Sequence, residues 1–420
     1  MSISAQFREL RDDDLAPNLV DAGKRNGGRP KPVRAGITAE RPDESMRNAD
    51  RARPSVVHLM PGLRIGGTER GALQLAEMGI RKGQDHRLVL FDRPPGASED
   101  EFPLGLIPAT YLRRRQGVDL TFPIRLASRL YRWGATVVHT RNDTALFYGS
   151  IAVSLVKPRP TLVSTFGTYP SHATPAARFL TNCASRSAVM VAAVSNELRD
   201  RLIKERWVSH CRTIFNGVDT TLFSPDGNPF GLRQQLGLTS GELLIGHLGR
   251  LDPIKRHSDL ITAAKLLTAT PRMAPFRLVI IGSGPMEEAL RKDAADCSSI
   301  TILPATHEVS AVLRELDLLV LCSAREGAPR IILEAMATGT PIIATAVGGI
   351  PEMLSETVGT CGYLVPVNQP KAIAAAILEA VKCPMERQRR AALARERAIA
   401  QFSAEREWLD YKIFYEKTRI

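Results

Sequence analysis

No two of the six cysteines form a C-x-x-C pair; Cys183, Cys211, Cys297, Cys322, Cys361 and Cys383 are scattered along the chain. This excludes the common zinc-site spacings and a disulfide framework, and reads as free or buried thiols of a reducing cytosol. No apolar run approaches the roughly 18–20 residues that a membrane-spanning helix needs. The first residues carry Asp12-Asp13-Asp14 and no apolar core, so no secretory signal is expected there. Zinc-finger spacing, an aromatic RNA-binding pattern and a helix-turn-helix signal are missing, so nucleic acid is not an expected partner. What remains is 420 residues of ordinary soluble composition, 44% hydrophobic and 24% charged, long enough for two domains with full cores.

The net charge of +12 is unevenly distributed. Residues 1–50 carry 9 basic and 9 acidic side chains, residues 51–220 carry 24 against 13, and residues 221–420 carry 23 against 22. The surplus therefore belongs to one half of the folded chain, and it points to an anionic membrane surface or an anionic acceptor. Part of it clusters at Arg113-Arg114-Arg115. It continues through Arg125, Arg129 and Arg132 on a helix expected over residues 121–133, where Leu126, Leu130 and Trp133 form a neighbouring side that could face core or bilayer.

Residues 1–50 mix Asp, Arg, Pro and Gly without periodicity and are expected to be disordered. From Ser55 onward short apolar runs alternate with amphipathic stretches. Strands are expected at 56–60, 87–91, 136–139, 161–165, 189–194 and 212–215, and helices over 68–79 and 143–155. The alternation breaks in the loop-rich stretch from Asn216-Gly-Val-Asp to Ser224-Pro-Asp-Gly-Asn-Pro and resumes with strands at 243–247, 277–281, 299–303, 318–321, 341–344 and 362–365. Alternation of this kind predicts an α/β fold with two doubly wound, Rossmann-like parallel-sheet domains, residues 51–222 and 223–400, facing each other across a cleft. In the tail, 401–420, Trp408, Tyr411 and Tyr415 fall on one helical face, as expected of a helix docking back onto the first domain.

Glu326 and Glu334, with seven residues between them, are the most informative pair. Pro329 suits the first turn of a helix and Gly339 with Pro341 ends it, so a helix is predicted over 329–338, with Glu326 in the loop before it. Glu334 lies among Ile331, Ile332, Leu333, Ala335, Met336 and Ala337, where a carboxylate needs a hydrogen-bonding partner. A strand, a polar loop and a helix N-terminus make a site for an anionic, polyhydroxyl ligand. In the same half, Gly249 lets the chain turn after a strand, and Arg250 and Lys255 can aim two cations at one point, enough to offset a diphosphate without a metal. No Asp-x-Asp pair takes a cleft position, so no metal is expected. Gly282 and Gly284 close the next strand in an incomplete Gly-x-Gly fingerprint.

Taken in order, these elements resemble the family 4 retaining glycosyltransferases of the GT-B fold. The resemblance runs from about residue 55 to 417. It is carried by Gly66-Gly67-Thr-Glu-Arg70, Val137-Val-His139-Thr, Ala193-Val-Ser-Asn196, Phe215-Asn-Gly-Val-Asp219, Gly249-Arg250 to Lys255, Gly282-Ser-Gly-Pro285, Ser323 to Pro341, and Val347-Gly-Gly-Ile-Pro-Glu352. It implies a nucleotide-sugar donor held mainly by the second domain, a glycan or lipid-linked glycan acceptor held mainly by the first, and no cofactor besides the donor. It also implies that Glu326 contacts the donor sugar and Glu334 the ribose, while Arg250 and Lys255 bind the diphosphate, assisted by the amides of Gly327 and Ala328. Gly66 and Gly67 would bring backbone close to the donor. Many members carry a histidine within a Thr-x-His-Gly pattern, whereas this chain reads Thr165-Phe-Gly-Thr-Tyr-Pro-Ser-His172. His172 and His139 are the alternatives. A non-catalytic sugar-nucleotide-binding protein and a sugar-nucleotide epimerase are the rival readings on the same fold.

Overall fold

The computed structural model describes residues 54–62, 67–91, 101–115, 117–170, 174–271, 273–356 and 359–416. The extension of residues 1–50, Gly66 and His172 lie outside them.

The first domain is built on an eight-stranded sheet in the order β3-β4-β2-β1-β5-β6-β7-β8. Its strands are β1 Ser55–Met60, β2 Asp85–Leu90, β3 Glu101–Leu104, β4 Ile107–Tyr111, β5 Val137–Thr140, β6 Thr161–Phe166, β7 Met190–Ala193 and β8 Arg212–Thr213. All neighbours run parallel except the edge hairpin β3–β4. Strands such as β1 are buried at all six residues because helices cover both faces of the sheet. Those helices include α1 Gly67–Arg81, α2 Phe122–Trp133, α3 Asp143–Ser154, α4 Pro175–Ser185 and α5 Asn196–Lys204.

In α2, Leu126 and Leu130 are fully buried and Trp133 packs against the core. That side of the helix therefore faces the protein, not a bilayer. The outward side carries Ile124 and Tyr131, following exposed Val118 and Leu120 in the preceding loop.

The second domain has a six-stranded parallel sheet in the order β11-β10-β9-β12-β13-β16. The strands are β9 Leu243–Leu248, β10 Phe276–Ile281, β11 Ile300–Leu303, β12 Leu318–Leu321, β13 Ile342–Thr345 and β16 Tyr363–Val365, with a small hairpin of β14 Ser355–Glu356 and β15 Gly359–Thr360 beside them. The order reverses between β9 and β12, the place where doubly wound sheets bind ligands.

Two crossings tie the domains together. Val218 donates its amide to Phe402 O, and Ala404 returns one to Val218 O, both at 2.8 Å. A Cβ on Gly217 would lie 2.7 Å from Ala404 Cα, so the two strands of chain touch only because residue 217 is glycine. The last helix, Ala404–Glu416, then buries Trp408, Tyr411 and Tyr415 against Val56, Leu75, Val137 and Val163 of the first domain.

Candidate active site

At the reversal in the second sheet the loop after β9 meets the loop after β12, where Ala324 donates its amide to Ile254 O at 2.8 Å, and also packs on the loop after β10. Gly249 donates its amide to Ile281 O at 3.0 Å, and Leu251 donates to Ser283 O at 2.9 Å. A Cβ on Gly282 would stand 1.9 Å from Gly249 O, and one on Gly284, at φ +154°, 2.5 Å from Leu251 O. These two glycines are needed so that the loops can touch. Asp252 accepts the Ile254 amide and so caps the turn Pro253–Lys255. Beneath it, the buried Cys322 thiol donates to Lys255 O and Arg256 O, each at 3.2 Å. Burial pushes that thiol up to about 12, so it remains a neutral donor.

This scaffold places Lys255 Nζ 2.6 Å from Glu326 Oε1, with the two side chains only 20% and 11% exposed. Arg250 is more open, half exposed, and pairs with Asp252 at 3.0 Å. The structure therefore gathers three of the expected residues at one end of the sheet.

The helix that follows, Arg330–Thr338, starts one residue later than the sequence predicts, because Pro329 takes extended geometry (φ −68°, ψ 122°) and serves as N-cap. No side chain caps this end, so its first amides are free of a side-chain acceptor and face the loop that carries Glu326. A Cβ on Gly327 would stand 2.1 Å from Gly167 O, so this glycine lets the second domain lie directly on the first. Asn216 donates to Ala328 O at 2.9 Å. Glu334 is buried, and its partner is Arg70 from the opposite domain, Nη1 to Oε1 at 3.4 Å. The sequence reading assigned that role to a ribose. Gly67 opens α1, and a Cβ there would make only ordinary contact with Arg330, so this packing does not itself require glycine.

His139 is not available to an acceptor. It lies fully buried in β5, with Nδ1 2.6 Å from Tyr415 Oη and Nε2 2.8 Å from Thr165 Oγ1, held by the C-terminal helix. Several residues escape a linear reading. Glu352 accepts the amides of Asn196 and Glu197 at 2.8 and 2.7 Å, capping α5 from across the interface. Arg70, Arg141 and Arg330 converge between the domains. Arg141 directly follows β5, and Arg250 comes two residues after β9; an arginine at the end of a strand was a signal present in the sequence. Among the described residues no three His, Cys, Asp or Glu side chains converge as metal ligands would.

Two family descriptions match the chain. Glycosyltransferase Family 4 covers residues 65–222, and Glycosyl transferases group 1 covers residues 231–397. Among similar curated proteins, a D-inositol 3-phosphate glycosyltransferase of Stackebrandtia nassauensis is 34% identical over 162 residues, 36% of each chain. A UDP-Gal:alpha-D-GlcNAc-diphosphoundecaprenol alpha-1,3-galactosyltransferase of Escherichia coli is 26% identical over 327 residues, 74% of this chain and 83% of that one. The chain spans between 36% and 59% of the length of three of the curated relatives it matches. Among solved structures, Anabaena HepE in complex with UDP has a TM-score of 0.72 at 20% identity, covering 86% of this chain and all of that one. That likeness establishes the GT-B arrangement of two facing parallel-sheet domains.

Proposed function

The chain belongs to the family 4 glycosyltransferases of the GT-B fold, and from that premise we propose that it moves a sugar from a nucleotide-diphosphate donor to a glycan or lipid-linked glycan acceptor, with retention at the anomeric carbon and without a metal. The observation that carries this reading is the Lys255–Glu326 pair at the reversal point of the second sheet, beside Arg250 and an uncapped helix N-terminus. Lys255 and Arg250 would hold the diphosphate and stabilise the leaving phosphate as its charge grows, while helix amides would supply further donors. Glu326, already bonded to Lys255, would fix the ammonium and accept from donor-sugar hydroxyls. Glu334 would accept from the ribose in place of, or beside, Arg70. The departing phosphate would take the acceptor's proton, so no protein carboxylate need become a nucleophile.

The HepE structures with UDP and UDP-glucose support a nucleotide sugar as donor, and the E. coli relative supports a lipid-linked acceptor. This fits a place in cell-surface polysaccharide or lipopolysaccharide synthesis at the inner face of the cytoplasmic membrane. No helix among the described residues is long and apolar enough to cross a membrane, so association would be peripheral. The missing histidine beside Gly167 favours one rival, a binding protein without turnover.

The test is incubation with a panel of nucleotide sugars in excess chelator, following free nucleotide and sugar products. Release of nucleotide diphosphate that collapses in Arg250→Ala is the expected result. Donor conversion without release would identify an epimerase, and binding without turnover a scaffold. Activity lost to chelator and restored by a divalent ion would sink the metal-free assignment.

A further inference from the structure

Arg141 and Arg330 are only 4% and 7% exposed, yet each leaves guanidinium nitrogens unpaired: Nε and Nη2 of Arg141, Nε and Nη1 of Arg330. An unmatched buried donor ordinarily costs about 1–3 kcal/mol, and more when it is charged. Each such group calls for an explanation, and a ligand that supplies the missing acceptor is one.

Their position fits that reading. Arg141 follows β5, and the first sheet reverses direction between β1 and β5, its own ligand-binding crevice. Arg330 opens the helix of the second domain but reaches into the first. Its Cγ would lie 3.5 Å from a Cβ on Gly67, Nη1 approaches Gly71, and Nη2 donates to Gln74 Oε1. Arg141, Arg330 and Glu407 lie within electrostatic reach of one another, and Arg70 and Glu334 also face Arg330. Three guanidinium groups, of Arg70, Arg141 and Arg330, thus meet the carboxylates of Glu334 and Glu407; Asp410, also near Glu407, is paired with Arg406 at 3.6 Å, which leaves one positive charge in excess. Glu334 is engaged by Arg70, and Glu407 accepts the Gly217 amide at 2.9 Å. Burial pushes the Glu407 carboxyl upward and weakens its contribution as an anion, so the imbalance is larger still at low pH. The other groups within electrostatic reach of Arg141 are His58, His86 and His139, whose burial holds them below the ordinary histidine value, and the phenols of Tyr411 and Tyr415, with the Tyr411 ring 5.8 Å away.

We propose that Arg141 and Arg330 form a subsite for an anionic group of the acceptor, a phosphate or a carboxylate, on the first-domain side of the cleft and separate from the diphosphate site at Arg250 and Lys255. The planar forks of two arginines match the paired oxygens of either group, and arginine keeps its charge when buried. The contacts covering Arg330 come from the opposite domain, at Gly67, Gly71 and Gln74, so the subsite opens as the domains part at that contact. The proposal rests on the donor assignment given above, and the two can fail separately.

The experiment is calorimetry on the full chain with inorganic phosphate, and separately with acetate, each with and without saturating nucleotide diphosphate. Phosphate or acetate should bind the nucleotide-loaded protein. Arg141→Gln and Arg330→Gln should each weaken that binding at least tenfold, Arg141→Lys less so, with an unchanged circular dichroism spectrum and cooperative thermal unfolding as evidence of an intact fold. Anion binding unchanged in both glutamine variants would overturn the subsite. So would anion binding that saturating nucleotide abolishes, or no binding of either anion. If one glutamine variant fails to fold, the other decides. A wild-type protein that binds phosphate but no nucleotide would instead sink the donor assignment and leave the subsite standing.

Discussion

Arg70 of the first domain reaches Glu334 of the second, Nη1 to Oε1, at 3.4 Å. The carboxylate assigned to the donor ribose therefore has a cationic partner across the cleft before any nucleotide arrives. Domain contact and the proposed nucleotide binding converge on one side chain. Glu334→Gln should weaken free nucleotide and nucleotide sugar alike, by about tenfold for a charge-assisted hydrogen bond. Glu326→Gln should spare free nucleotide and impair the nucleotide sugar. Calorimetry with both ligands checks this, and the reverse pattern would exchange the two roles.

Lys255 and Glu326 are too close, at 2.6 Å, to act independently. Removing one preorganised electrostatic group typically costs about a hundredfold to a thousandfold in turnover. Lys255→Ala should fall in that range, and it also leaves the Glu326 carboxylate without its cation. The double variant Lys255→Ala, Glu326→Gln should therefore lose little more than Lys255→Ala alone. Losses in kcat/KM that multiply would show that the two side chains act separately.

The backbone of this site was legible in the sequence and much of its electrostatics was not. Continuous apolar runs place the strands ending at Leu248, Ile281 and Leu321, and the Pro329–Gly339 punctuation places the helix to within one residue. The β3–β4 hairpin escaped because Pro103 stands opposite Pro108 and Gly105 takes φ +61°, so the segment reads as loop. Gly282 and Gly284 were visible as Gly-x-Gly, but the reason for them is another loop's backbone. Arg70 meets Glu334 across 264 residues of chain, and spacing cannot report such contacts. Nor can it choose which side of an amphipathic helix is inward, as Leu126 and Leu130 show.

Histidines should make stability fall in mild acid. Burial lowers His58, His86, His139, His247 and His257 below the ordinary value of 6.5, with His86 and His257 near 4. Between pH 6.5 and 4 the unfolded chain binds protons that the native protein refuses. The stability these histidines contribute is thus fully present above 6.5 and is lost as pH falls through that window. Each contributes a slope of up to about 1.4 kcal/mol per pH unit. Chemical denaturation at pH 7.5, 6.0 and 5.0 should show the loss, and His257→Gln should flatten it. Equal stability at the three values would contradict the buried, neutral assignment.

The outward side of α2 makes the membrane reading testable. Val118, Leu120, Ile124 and Tyr131 are 73%, 78%, 62% and 68% exposed, and Arg113, Arg115 and Arg132 are exposed around them. Arg125, by contrast, is paired with Asp119 at 2.9 Å, so the basic run alone overstates the free charge. Near an anionic leaflet each basic residue contributes on the order of 1 kcal/mol, and apolar side chains entering the interface add to it. The protein should co-sediment with vesicles containing anionic lipid and release as salt rises. Reversing Arg113, Arg115 and Arg132 to glutamate should weaken vesicle binding at least tenfold and leave nucleotide affinity unchanged. Ile124→Asp with Tyr131→Asp should do the same at low salt, where charge alone would hold. Equal binding to neutral and anionic vesicles, or none to either, would make a soluble acceptor the better reading, because nothing else on this face would then bring the first domain to a lipid.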